Sequence, residues 1–99
     1  MKLNRKQHLL VILAEECNEV AQRVTKSLRF GIDEIQPGDN KNNAERIKYE
    51  LNDLLAIVEM LQKEKILPDV ITDREMMELK KQKVEHYLEY CKKIGTLTE

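Results

Sequence analysis

The sequence predicts an all-α protein of three main helices whose four-helix bundle is completed by homo-oligomerisation. Apolar residues recur at steps of three and four through three long stretches, the period of a helix with one buried side. Aromatic residues are 4% of the chain and Trp is absent, the composition of helices packed by Leu, Ile and Val. A chain of 99 residues forms one small domain with a modest core. Three helices with separate apolar stripes do not close a four-helix core alone, so the stripes left over favour self-association.

Asn4 followed by Gln7 caps the first helix, which runs to about residue 28 or 29, and Gly31 supplies a left-handed stop. Its apolar seam reads Leu10, Leu13, Cys17, Val20, Val24 and Leu28. Residues 32–42, IDEIQPGDNKN, have loop composition with a turn at Pro37-Gly38, and suit either a lid or a plain connector. Asn42 with Glu45 caps a second helix over about 43–65, whose seam is Ile47, Leu51, Leu54, Val58 and Leu61. Ile66, Leu67 and Pro68 then end it, because proline cannot continue a helix. Thr72 and Glu75 form a capping box for a third helix over about 73–94. One side of that helix carries Met76, Leu79, Val84, Tyr87, Leu88, Cys91 and Ile94, and Lys80, Lys81 and Lys83 make a solvated face.

Formal net charge is −1 with acids and bases mixed, which lacks the basic excess of a protein that holds a nucleic acid polymer. No stretch reaches the length of a membrane span, and the start of the chain lacks the pattern of a signal peptide. Cys17 and Cys91 read as reduced core thiols, so a cytoplasmic location is expected.

Four acids stand out. Glu16 and Glu19 on the first helix, and Glu50 and Asp53 on the second, are each three apart, about 60° around the axis, so each pair points one way. Each of the four immediately precedes a seam residue. Ile12 and Val20 lie four residues either side of Glu16, and Tyr49 and Ile57 either side of Asp53, so neither has a basic partner on its own face. Of Arg46 and Lys48, close to Glu50 in sequence, only Arg46 shares its face. Single pairs of this kind are common on charged helices. Two pairs beside apolar seams, crowded together, call for a cation. With neither His nor Cys ligands in the pattern, oxygen ligation favours Mg2+, with Mn2+ as the variant, over zinc or iron.

The run Glu15, Glu16, Glu19 followed by Glu50 and Asp53 is E-E-x-x-E then E-x-x-D, and RVTKSLRFG follows the first motif. Over roughly the first two-thirds of the chain this resembles the all-α nucleoside triphosphate pyrophosphohydrolases of the MazG type. The resemblance implies magnesium-dependent hydrolysis of a ribo- or deoxyribonucleoside triphosphate to the monophosphate and pyrophosphate, in a homodimer or homotetramer. Glu16, Glu19, Glu50 and Asp53 are then the metal ligands. Glu15, about 100° from Glu16, is either a base that orients the attacking water or an exposed acid. Lys26 and Arg29, and less so Arg23, would hold phosphate oxygens, although Arg23 also suits a plain ion pair with Glu19. His8 reads as a solvated or capping histidine or as a contact to the base.

Phosphoribosyl-ATP pyrophosphohydrolases share this fold and a similar acid motif. Their second motif continues in an Ala-Asp-Leu-Leu-Tyr-like run, where this chain has Asn52-Asp53-Leu54-Leu55-Ala56-Ile57 and lacks the Tyr. A non-catalytic helical interaction module is the alternative of another kind.

Overall fold

The computed structural model describes residues 1–69 and 72–98. It contains three helices, α1 (Arg5–Phe30), α2 (Asn43–Lys63) and α3 (Arg74–Ile94), and among the described residues the extended structure is limited to an isolated Ile35–Asn42 bridge. No described helix is long and apolar enough to cross a membrane. The chain divides into two compact units, Met1–Asp69 with α1 and α2, and Val70–Glu99 with α3.

Local chemistry sets the helix starts. Asn4 Oδ1 accepts from the Gln7 N–H at 2.8 Å while Gln7 Oε1 accepts from the Asn4 N–H, and Asn42 and Glu45 repeat the exchange at α2. The third start differs from expectation. Asp73, rather than Thr72, caps α3 by accepting from the Met76 N–H at 3.1 Å, so the helix begins one residue later.

The ends follow backbone geometry. Phe30 is the last residue of α1, and Gly31 leaves the helix with φ 105°. α2 stops at Lys63, short of the expected residue 65 and well before Pro68. Lys65 takes the left-handed φ of 60°, and the N–H groups of Ile66 and Lys65 bond back to the carbonyls of Leu61 and Gln62 at 2.9 and 3.0 Å. This six-to-one and five-to-two closure ends the helix without the proline.

Between α1 and α2, the Asp39 N–H bonds the Gln36 carbonyl at 3.0 Å across Pro37-Gly38, with Gly38 at φ 85°, a type II turn. Asn43, 1% exposed, donates from Nδ2 to the Gly31 carbonyl and to Glu34 Oε1, fastening the loop to the start of α2.

α1 and α2 pack antiparallel, and the Arg5 guanidinium at one end holds Glu64 through two bonds of 3.0 and 2.8 Å. The enclosed line of α1 runs through Leu9, Leu13, Glu16, Val20, Arg23 and Ser27; that of α2 runs through Asn43, Arg46, Ile47, Glu50, Leu54, Ile57 and Leu61. This displaces the expected seam. Leu10, Cys17, Val24, Leu28 and Leu51 are exposed instead. α1 carries two adjacent apolar strips, and only the one that includes Leu9, Leu13 and Val20 is covered. Cys17 is therefore no core thiol, while Cys91 is half-buried.

Within its own unit, α3 has no buried residue: Met76, Leu79, Val84, Tyr87, Leu88 and Ile94 are exposed. Exposed ion pairs at helical spacing, Arg74 and Lys81 with Glu78 and Lys92 with Glu89, line its surface.

Candidate metal centre

Because α1 and α2 run antiparallel, Glu16 and Glu50 meet on the enclosed line, and Asp53 joins them from the turn after Glu50. Carboxylate oxygens of Glu16, Glu50 and Asp53 all lie within 4.8 Å of one another. Glu16 and Glu50 are half-buried and Asp53 is exposed. Glu19, set 60° off the line, is exposed and lies outside this group, as does the exposed Glu15.

The electrostatics follow from the crowding. Partial burial, and then the charges of Asp53, Glu50, Glu19 and Glu15, push the Glu16 carboxyl above its ordinary value of 4.5. Among the described residues no Lys, Arg or His forms an ion pair with any of these five acids, although six such pairs occur elsewhere. The donor set is all oxygen. Oxygens on opposite sides of one Mg2+ lie about 4.2 Å apart, so the spacing suits one small divalent ion or a close pair. Chemistry and separation both fit such a cation.

A pocket of about 250 Å³ lined by Arg23, Arg46, Tyr49 and Glu50 adjoins the acids. Arg23 is half-buried, and its Nη1 is enclosed with no hydrogen-bond partner. Enclosed donors are ordinarily satisfied. Arg46 is paired with Asp39, whose carboxyl is held below the usual range by that bond and by the Asn40 and Lys41 N–H groups. The Lys41 ammonium sits 5.0 Å from the centre of the Tyr49 ring.

The sequence ranks Lys26 and Arg29 ahead of Arg23, whereas the structure sets Arg23 beside Glu50. Arg29 is exposed and lies over the Phe30 ring at 5.0 Å. Lys26 is half-buried without an ion pair among those described, and His8 is exposed near the start of α1. Sequence reasoning did not assign Arg46 and Tyr49 to the pocket. The signal for Arg46 is its position four residues before Glu50; in the sequence Tyr49 reads only as an apolar neighbour of Asp53.

No family model matches the chain, and no curated protein or solved structure matches it.

Proposed function

We propose that the chain is a magnesium-dependent nucleoside triphosphate pyrophosphohydrolase, converting a ribo- or deoxyribonucleoside triphosphate and water to the monophosphate and pyrophosphate. The observation that carries this reading is the convergence, from two helices, of the half-buried Glu16 and Glu50 with the exposed Asp53, with no ion pair to any of them among the described residues. Acids held together against repulsion are unfavourable in the absence of a cation, and they suit a site built to receive one.

In this reading Glu16, Glu50 and Asp53 hold Mg2+ or Mn2+, and the exposed Glu19 adds a fourth carboxylate from the rim. Such an ion neutralises phosphate oxygens and makes an attacking water more acidic. Arg23 offers its unpartnered Nη1 to the triphosphate beside Glu50, and Lys26 and Arg29 add positive charge farther along α1. Glu15 orients the water that attacks the α-phosphorus as the bond to the bridging oxygen breaks. The exposed apolar residues Leu10, Val24, Leu28, Leu51 and Leu55, with a pocket of about 390 Å³ between Val24, Leu28, Ile32 and Ile47, support closure of the bundle by a second copy.

The test is pyrophosphate release from a panel of ribo- and deoxyribonucleoside triphosphates and phosphoribosyl-ATP, with and without Mg2+. Release should need Mg2+ and fall by about 100-fold or more in Glu50→Gln. Preference for phosphoribosyl-ATP would move the chain to the phosphoribosyl-ATP pyrophosphohydrolase activity. No release from any of them by folded protein would leave a helical interaction module.

A further inference from the structure

We propose that Asp39 is a positioning residue for the acid cluster: by holding the Arg46 guanidinium it keeps Arg46 from pairing with Glu50 and leaves that carboxylate free for a cation. The inference rests on reading Glu16, Glu50 and Asp53 as a cation site.

Arg46 is the α2 cation that shares a pocket with Glu50. It precedes Glu50 by four residues on the same helix face, the spacing at which side chains pair, and both line one pocket. An ion pair there would occupy a ligand and add positive charge where a metal must bind. The structure pairs Arg46 with Asp39 Oδ2 instead, across seven residues, and the two side chains are 24% and 26% exposed.

Asp39 itself is fixed. Its Oδ1 accepts from the Asn40 and Lys41 N–H groups at 2.7 and 3.1 Å, and its own N–H closes the Pro37-Gly38 turn. One carboxylate oxygen therefore builds the loop, and the other is left for Arg46. A residue that only shaped the loop would need the first oxygen alone. Asn at this position retains an oxygen for the backbone bonds and loses the charge that competes with Glu50 for the guanidinium.

The experiment is a double-mutant cycle read by Mn2+ titration at neutral pH and constant ionic strength, with electron paramagnetic resonance counting free Mn2+. Asp39→Asn should weaken Mn2+ binding about fivefold, on the scale by which an exposed ion pair competes. The same change made in Arg46→Gln should have no effect, because the competitor is gone. An equal loss in both backgrounds would overturn the proposal, since Asp39 would then act through its charge or the loop alone. Unchanged affinity of Asp39→Asn with Arg46 present would overturn it too. The parent and Glu50→Gln separate this from the underlying reading: a parent that takes up no Mn2+, or a Glu50→Gln variant that binds as the parent does, overturns the cation site and the role of Asp39 with it.

Discussion

Leu9 and Leu61, near the end of the helix pair closed by Arg5 and Glu64, are 5% and 0% exposed, whereas two to three turns along the same line Glu16 and Glu50 set like charges side by side. The first stretch stabilises the α1–α2 pair by removing apolar surface from water. The second opposes it, because partial burial and mutual repulsion both disfavour the ionised acids. One helix–helix contact thus contains both what holds the fold and what opposes it. A contact optimised for stability alone would continue the leucines through the middle.

Leu61→Ala tests the apolar stretch and should have the largest effect. The side chain is fully enclosed, so its truncation leaves a cavity and should cost about 2–5 kcal/mol by urea denaturation at fixed protein concentration. A loss below about 1 kcal/mol would show that the pair is held elsewhere.

Glu16→Gln tests the acidic stretch, and its sign is opposite. A carboxyl raised in the folded state binds more protons there than in the unfolded chain, so its contribution is most favourable below the ordinary value of 4.5. Stability is then lost as pH rises from that value through the folded one. The variant should therefore melt above the parent at neutral pH without divalent ions, and the difference should vanish in acid. Asp39 and Glu64 behave in the reverse sense: their lowered values give stability above the ordinary carboxylate range that is lost as pH falls through the folded values. Comparing variant with parent at each pH removes those shared terms. Adding Mg2+ should raise the melting temperature of the parent and leave Glu16→Gln nearly unmoved. A variant that melts at or below the parent at neutral pH would mean that the acids carry no penalty.

The parts of this contact legible in the sequence are the local ones. Asn4 with Gln7 and Asn42 with Glu45 cap helices through atoms three residues apart, so composition and spacing suffice. Three of the five acids of the motif, Glu16, Glu50 and Asp53, converge; the three-residue spacing puts Glu50 and Asp53 on one face, while Glu19 lies outside the group. What escaped reading depends on partners distant in sequence. α1 is apolar on two strips, and only α2 decides that Leu9 is covered while Leu28 is 86% exposed. By spacing Arg23 suits an ion pair with Glu19 or a phosphate, and only packing sets it in one pocket with Glu50. Asp39 reaches Arg46 only after the Pro37-Gly38 turn has folded.

The smallest effect should come from the stop of α2, which ties the apolar stretch to the chain beyond it. The carbonyl of Leu61 accepts from both Ile66 and Leu67, so the backbone of the most enclosed side chain also closes the helix. Lys65 carries that closure at φ 60°, where a side chain costs about 1 kcal/mol relative to glycine. α3 solves the same problem with Gly95 at φ 81°: the Thr96 N–H bonds back to the Cys91 carbonyl and the Gly95 N–H to the Lys92 carbonyl, the same pattern. Lys65→Gly removes the strain but also the exposed pair with Asp69, 2.6 Å long and worth a few tenths of a kcal/mol, and it loosens the unfolded chain. The balance should be a gain of a few tenths to about 1 kcal/mol, read as a small rise in melting temperature. A loss of stability would mean that the Lys65–Asp69 pair, rather than the backbone closure at Leu61, holds the end of α2.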